Sequence, residues 1–158
     1  MSLDDWILSL HVLSAFALVA AEVAFTIMVV ALWRSDSPAR VASTMPLARI
    51  GAILVGVGFA GTVVFGVWLA ISLDAYQLWD GWVIAALVLW AIGGFVGQKS
   101  GQGYAAGGEL AQMLVAEGTT SSPELAATFG ASRAFWLHVA TSAVVVLLVV
   151  VMIWKPGA

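Results

Sequence analysis

The sequence contains no cysteine and little charge. Charged residues make up 9% of its 158 residues, compared with about 25% in soluble domains. Without cysteine the chain has no disulfide, no thiol catalysis and no cysteine-based metal or cluster site. Its sparse charge argues against a soluble fold and against a basic surface for nucleic acid.

The sequence also lacks the motifs of soluble enzymes. It has two histidines, and it contains no nucleophile elbow and no HExxH pattern. Neither histidine has a cysteine or a carboxylate at metal-ligand spacing, so we expect no zinc site. Soluble-type catalysis therefore has no support, and we lean towards a protein that is not an enzyme.

Apolar residues are what the chain has in abundance, with 62% hydrophobic residues and a mean hydropathy of +1.03. About 20 apolar residues cross the hydrocarbon core as a helix, and four charge-poor stretches approach or exceed that length. We predict an all-α polytopic membrane protein, a single four-transmembrane-helix bundle over residues 1–158. A cytoplasmic helical hairpin at 99–133 is expected between the third and fourth spans. The predicted spans are residues 6–33, 47–73, 82–98 and 134–154.

The distribution of lysine and arginine predicts the orientation of the chain in the membrane. Cytoplasmic connections carry an excess of these residues. Five of the six flank the first and third connections, and only Lys155 lies on the other side. We therefore expect those connections to be cytoplasmic and both termini to lie outside the inner membrane. The five residues are Arg34, Arg40, Arg49, Lys99 and Arg133.

The first span carries two ionisable residues, His11 and Glu22, in an otherwise apolar stretch. At about 100° per residue on an α-helix, they lie within about 20° of the same face. Ser14, Leu18 and Thr26 share that face. Ionisable groups inside a span usually face the protein interior and mark a functional site.

The fourth span repeats part of this pattern. His138, like His11, lies between leucine and valine, and each histidine has a hydroxyl three residues later, Thr141 and Ser14 respectively. The two spans run in opposite directions, so the imidazoles lie in opposite leaflets and cannot bind one iron. A haem at either histidine would need a second ligand, and Met152 lies at about the depth of His11.

Glu22 and His138 lie within about one helical turn of each other in depth. Because the first and fourth helices are neighbours in a closed bundle, we predict a contact between the two side chains, with Arg49 as a rival partner for the carboxyl. Three interpretations stay open: a structural hydrogen bond, a ligand or cofactor site, and a proton or ion path.

Small residues spaced four apart in spans two and three let helix backbones approach closely. We predict tight packing there, either within the chain or against a second copy or a membrane-complex partner. The stripes are Ala52, Gly56, Ala60 in span two and Gly93, Gly97, Gly101 in span three.

Three short segments, Trp6–Ser14, Trp136–Thr141 and Trp154–Gly157, carry a resemblance to a known family. Through them the chain resembles the small four-helix integral membrane proteins of bacteria that form a predicted family of unknown function. More distantly, the histidine near the start of the first helix is similar to that of copper-resistance D-type and HemJ-type membrane proteins, which implies a haem b ligand at His11. The chain lacks the Leu-Pro-Arg stretch and second histidine that follow the first helix in HemJ-type proteins.

These features lead us to expect an inner-membrane bundle whose polar seam binds a small cofactor, haem b. The candidate ligands are His11, His138 and Met152, with no metal beyond haem iron at His11. One alternative is a non-catalytic structural or assembly subunit, and another is a proton-coupled carrier of a small solute that uses Glu22. Lipid is the expected partner, and nucleic acid is not. The polar seam is defined as His11, Ser14, Glu22, His138 and Thr141.

Overall fold

A computed structural model describes residues 2–73 and 77–156, and within these ranges the chain is all-helical. Four helical segments are long and apolar enough to cross a membrane, which confirms the predicted fold class. Gly157, at the end of one segment that carries the resemblance, lies outside the described ranges. The helices are α1 (Leu3–Ala31), α2 (Pro38–Ser72), α3 (Gly81–Ala116), α4 (Pro123–Thr128) and α5 (Arg133–Trp154).

Serine side chains cap the start of four helices. Ser2 accepts from the backbone N–H of Asp5, whose carboxylate accepts from the N–H of Ser2, so the two residues form a capping box. Ser37 and Ser122 each cap a helix that begins with proline, where the missing N–H costs no hydrogen bond. Ser132 caps α5 by accepting from the backbone N–H of Phe135. These local signals fix where the helices begin.

Two helices extend beyond the apolar stretches that predicted them. α2 begins at Pro38 and continues through Pro46, whose missing N–H removes one bond from the helix ladder. α3 continues to Ala116. Region 99–133 therefore consists of the end of α3, a connection that holds the short α4, and the first residue of α5. α4 ends at Thr128 and α5 begins at Arg133, so the two helices are separate.

The helices pack as two close pairs. α1 packs along α2 and α3 packs along α5, a contact between α2 and α3 joins the pairs, and α1 touches α5 at few positions. Glycine permits both close approaches. A Cβ on Gly58 of α2 would lie 2.7 Å from the backbone N of Leu18, and a Cβ on Gly103 of α3 would lie 2.7 Å from the Cβ of Ala134. Larger residues at these positions would push the helices apart.

The most deeply buried side chains lie at the end of the bundle that holds α4 and the α1–α2 connection, here called the capped end. Leu125 and Phe129 are 0% and 1% exposed and pack with residues of α1, α2 and α3. Asp36 joins the two connections, since its carbonyl accepts from the N–H of Ser122 and its carboxylate accepts from the hydroxyl of Ser121, both at 2.8 Å. The first and third connections therefore form one folded unit.

The hydroxyl of Tyr104 is buried in this unit and has no hydrogen-bond partner in the described part of the chain. An unsatisfied buried polar group costs about 1–3 kcal/mol, and phenylalanine would keep the ring that packs against Phe129. We expect Tyr104→Phe to raise the free energy of unfolding by about 1 kcal/mol in thermal unfolding of the detergent-solubilised protein. Tyr104→Ala, which removes the ring, should lower it by about 3 kcal/mol. A loss of stability in Tyr104→Phe would show that the hydroxyl has a partner.

Candidate functional site

Glu22 of α1 and His138 of α5 meet where these two helices touch. The Nδ1 atom of His138 lies 3.6 Å from Oε1 of Glu22, and the two side chains are 9% and 15% exposed respectively. The contact that their depths predict is therefore present. A buried pair at this distance is either a carboxylate with an imidazolium or a neutral acid with a neutral imidazole, and the two forms differ by the position of one proton.

Thr26 determines which ring nitrogen of His138 faces the carboxyl. Its hydroxyl donates to the backbone carbonyl of Glu22 at 3.0 Å, which uses its single proton. Its oxygen also lies 3.0 Å from Nε2 of His138, so the two atoms form a hydrogen bond. With Nε2 held by Thr26, Nδ1 is the nitrogen that faces Glu22.

Ser142 holds the carboxyl from the other side. Its Oγ lies 2.6 Å from Oε1 of Glu22 and 3.1 Å from the backbone carbonyl of His138. The single hydroxyl proton serves one acceptor at a time, and the shorter distance indicates the carboxylate, because bonds to charged acceptors are shorter and stronger. Ser142 thus donates a hydrogen bond to the carboxyl of Glu22.

Glu22 has one ionic partner within 4 Å among residues 2–73 and 77–156, and that partner is His138. Arg49, the rival expected from the sequence, is exposed. The four residues Glu22, Thr26, His138 and Ser142 are called the α1–α5 cluster below. Its acid and base face each other at 3.6 Å, with no other ionic partner of Glu22 within 4 Å in the described ranges.

The other half of the polar seam faces a different helix. The Nδ1–H of His11 donates to the carbonyl of Thr62 in α2 at 3.0 Å. Ser14 lies over Gly61 of α2 and donates to the carbonyl of Leu10 at 2.8 Å. One stripe of α1 therefore packs on α2 near its start and on α5 further along. Because Glu22 lies about 16 Å beyond His11 along the helix axis, the seam divides into two separate sites.

His11 is the histidine that keeps an open ring nitrogen. Its Nδ1 bonds to Thr62, whereas Nε2 has no hydrogen-bond partner among the residues that the structure describes. The ring packs on Gly66, where a Cβ would lie 2.9 Å from ring atom Cε1. His138 uses both nitrogens within the α1–α5 cluster. A haem iron would therefore find a free nitrogen at His11 and none at His138.

The two remaining predicted residues lie apart from Glu22. Thr141 donates to the carbonyl of Leu137 at 2.9 Å, and its methyl group faces Gly97 of α3. Met152 is partly buried near the end of α5. Thr141 thus belongs to the packing of α5 on α3. A role for either residue in cofactor binding remains a prediction.

Sequence reasoning gave no role to Thr26 or to Ser142. The signal for both was available, because each lies four residues after the ionisable residue of its own helix, Glu22 or His138. Residues at this spacing are neighbours on one helix face. A hydroxyl there can bond both the backbone of its own helix and a side chain across the contact.

The two small-residue stripes face different surroundings. Gly93 and Gly97 of α3 face side chains of α5, at 3.1 and 3.3 Å from where a Cβ would lie. By contrast, a Cβ on Gly56 or Gly101 would meet nothing within 4 Å, and all three residues of the α2 stripe are exposed. The α3 stripe therefore contributes to the α3–α5 pair, whereas packing of the α2 stripe against a second copy or another partner remains a prediction.

Four long apolar helices around an intramembrane acid–base pair define a polytopic integral membrane protein. The chain belongs to the DUF2269 family of predicted integral membrane proteins, whose family model matches residues 5–156. No curated protein and no solved structure matches the chain. The family description names no activity, so function must be argued from the site. The distant similarity to copper-resistance D-type and HemJ-type proteins remains a prediction.

Proposed function

We propose that the protein is a proton-coupled carrier of a small solute, in which the Glu22–His138 pair binds and releases the coupling proton. The observation that supports this proposal is a carboxyl and an imidazole, 3.6 Å apart, at the sparse contact between two closely packed helix pairs. Ionisable groups inside a span are costly and are typical of proton relays and solute paths.

The two proton states of the pair differ in net charge, and therefore in the surroundings that stabilise them. With one shared proton the pair is neutral overall, as carboxylate and imidazolium or as acid and imidazole, and it suits a closed contact. A second proton leaves an imidazolium without a counter-charge, which a low-dielectric site disfavours. Because few other contacts hold α1 to α5, this extra charge would favour separation of these two helices, while the α2–α3 contact keeps the pairs joined.

We further propose that the protein lies in the inner membrane with both termini outside. This orientation is supported by the basic residues at the first and third connections, which favour the cytoplasmic side. It is also supported by the bonds of Asp36 to Ser121 and Ser122, which keep those two connections together at the capped end. Fusing a periplasm-sensitive or cytoplasm-sensitive reporter to each terminus would test it, and activity of the cytoplasmic reporter at either terminus would overturn it.

Spin-label distances test whether protonation moves the helix pairs. The chain has no cysteine, so Val30→Cys with Val146→Cys places one label on α1 and one on α5 without background. In vesicles, we expect the pulsed EPR distance between the labels to lengthen when the pH is lowered from neutral to acidic. A second pair within α3 and α5, Ile84→Cys with Ile153→Cys, should show no change. A constant α1–α5 distance would overturn proton control of this contact.

The open Nε2 of His11 favours haem b binding as a second candidate function. In the described part of the chain, His11 offers one imidazole nitrogen without a hydrogen-bond partner, and Met152 remains the predicted second ligand. Haem bound there would supply one-electron redox chemistry, and His11 would hold its iron while Thr62 fixes the ring through Nδ1. An absorption spectrum of the purified protein tests this function. A Soret band that is lost in His11→Ala but kept in His138→Ala would support it, and absence of the band would remove it.

A further inference from the structure

Two basic residues, Lys99 of α3 and Arg133 of α5, flank a close contact between their helices and are here called the basic pair. The hydroxyl of Ser100 donates to the carbonyl of Ala134 at 2.9 Å, and each basic residue immediately precedes one member of this bonded pair. In antiparallel helices, the residues that precede two facing positions lie about 100° round their axes towards the same side of the contact. Both are exposed, so they present two positive charges on one surface.

This surface faces away from the rest of the bundle. Phe135 lies on the side of α5 opposite to Arg133, and its ring meets a tryptophan ring of α1 with centroids 4.7 Å apart. Trp90 lies about 180° round α3 from Lys99, and its indole N–H donates to a backbone carbonyl of α2 at 3.0 Å. Because α1 and α2 cover the other side, the basic pair lies on the outward side of the α3–α5 contact.

The basic pair lies at the edge of the hydrocarbon. At the other end of the same two helices, Nζ of Lys155 lies 5.4 Å from the ring centroid of Trp82, so the ends of α3 and α5 are level there. Lys99 lies about 26 Å along α3 from Trp82, and Arg133 lies about 33 Å along α5 from Lys155. Both distances are close to the hydrocarbon thickness of about 30 Å. The pair therefore lies at the level of the lipid headgroups at the capped end.

The charges of the basic pair are not neutralised by the described part of the chain, in which neither residue has a carboxylate within 4 Å. The ammonium of Lys99 donates to the side-chain oxygen of Gln102 at 3.4 Å and lies 6.0 Å from the ring centroid of Phe95. The guanidinium of Arg133 donates to no atom of residues 2–73 and 77–156. An ammonium has three N–H donors and a guanidinium five, so most donors of the pair are open to a ligand.

An apolar surface of α3 continues from the basic pair into the hydrocarbon. Ile92 and Val88 lie within about 20° of the helix face of Lys99, and they are 47% and 52% exposed. Glu109, the next acidic residue of α3 after Lys99, lies about 15 Å further from the hydrocarbon. Positive charge at headgroup level above an apolar surface is complementary to an anionic headgroup with its acyl chain.

We propose that the basic pair binds the phosphate of an anionic phospholipid from the leaflet at the capped end. The planar guanidinium of Arg133 would bind two phosphate oxygens, and Lys99 would supply a second positive charge. An acyl chain would lie on Ile92 and Val88. A zwitterionic lipid carries its own cation beside the phosphate, so it should bind less tightly. This inference does not depend on proton coupling at Glu22 and His138.

Photolabelling with two matched lipids tests this inference. The full chain is reconstituted in phosphatidylcholine vesicles with a probe lipid whose acyl chain carries a diazirine and whose head is phosphoglycerol or phosphocholine. We expect the phosphoglycerol probe to label the α3 peptide with Val88 and Ile92 several-fold more than the phosphocholine probe. The surface of α2 at Val64 and Ile71, which is exposed and lies towards the opposite end of the bundle, should be labelled equally by both. Equal labelling of the α3 peptide would overturn the inference.

Charge-matched variants separate a binding site from general attraction by net charge. Lys99→Gln combined with Arg133→Gln should reduce the excess labelling several-fold. Arg40→Gln combined with Arg49→Gln removes the same charge from exposed positions of α2, and it should leave the excess unchanged. Circular dichroism should show the same helix content in both double variants. A similar loss in the two would show that net charge alone attracts the lipid, and it would overturn the site.

Inorganic phosphate distinguishes a lipid from a soluble anion. Sodium phosphate and sodium chloride at one ionic strength should affect the excess labelling equally, because the acyl chain keeps the lipid beside the basic pair. An excess that phosphate removes and chloride leaves in place would identify free phosphate as the ligand. That result would overturn the assignment to a lipid.

Discussion

Replacing Glu22 with glutamine should abolish the response of the α1–α5 distance to pH. Glutamine keeps an oxygen that accepts from Ser142 but cannot bind or release a proton in this pH range. His138 would then face an amide instead of a carboxyl, so the pair could no longer share a proton. Pulsed EPR on the doubly labelled variant should therefore give one distance at neutral and acidic pH, where the parent protein gives two. The lost contact between the carboxyl and His138 should also lower the free energy of unfolding by about 1–3 kcal/mol.

Glu109→Gln is the matched control for this prediction. Glu109 lies in α3 and is exposed, so its substitution changes the net charge by the same amount without touching the α1–α5 cluster. The control should retain the full pH response and the parent stability. If Glu22→Gln still shows two distances, the coupling proton binds elsewhere and the proposed mechanism is wrong.

Gly58→Leu should have the largest effect on folding. The nearest atoms to a Cβ at this position belong to the backbone of α1, with the N of Leu18 at 2.7 Å and the O of Ser14 at 2.8 Å. A backbone cannot change rotamer to make room, so α1 and α2 must separate or shift along each other. We expect a loss of about 3 kcal/mol or more in the free energy of unfolding, the upper end for overpacked sites, seen as a lowered thermal midpoint in detergent.

Gly56→Leu, two residues earlier on the same helix, separates this steric effect from helix propensity. A Cβ at Gly56 meets nothing within 4 Å, and a leucine there would face lipid. Its stability should equal or exceed that of the parent, because leucine is the better helix former. Equal losses in the two variants would contradict the close α1–α2 contact.

Composition and hydropathy were sufficient to predict the number of spans and the fold class. Polarity alone predicts membrane helices well, because every backbone group must be satisfied within its own segment. The ends of the helices were harder to predict. α2 and α3 continue into polar sequence because local capping and packing at the capped end stabilise them. Pro38 at the start of α2 and the buried Tyr104 of α3 are examples. A hydropathy pattern does not carry that information.

The candidate site was only partly predictable. The depths of Glu22 and His138 follow from helix rise, so their contact could be deduced. The division of the polar seam into two sites could not be deduced, since it depends on how α1 is rotated and tilted against two neighbours at once. Gly61 and Gly66 of α2 leave room for Ser14 and His11 respectively, so these side chains pack on α2. Such choices arise from packing in three dimensions, which a one-dimensional pattern does not determine.

The acid–base pair lies at the sparse contact between α1 and α5. α1 with α2 and α3 with α5 are held by extended close packing, whereas α1 and α5 meet at few positions. Those positions include the bonds of Thr26 and Ser142 to the pair. Under the proposed function, a change of one proton at the pair would therefore act on a sparse contact, which a small free-energy change can shift.

Cysteine crosslinking tests most directly whether Glu22 faces α5 at Ser142. In this cysteine-free chain, Glu22→Cys combined with Ser142→Cys should form a rapid crosslink with a short thiol-specific reagent in membranes, because the parent side chains lie 2.6 Å apart. Glu22→Cys combined with Thr141→Cys should crosslink poorly, because Thr141 faces α3. The reverse order of the two rates, or no crosslink in the first pair, would contradict the account.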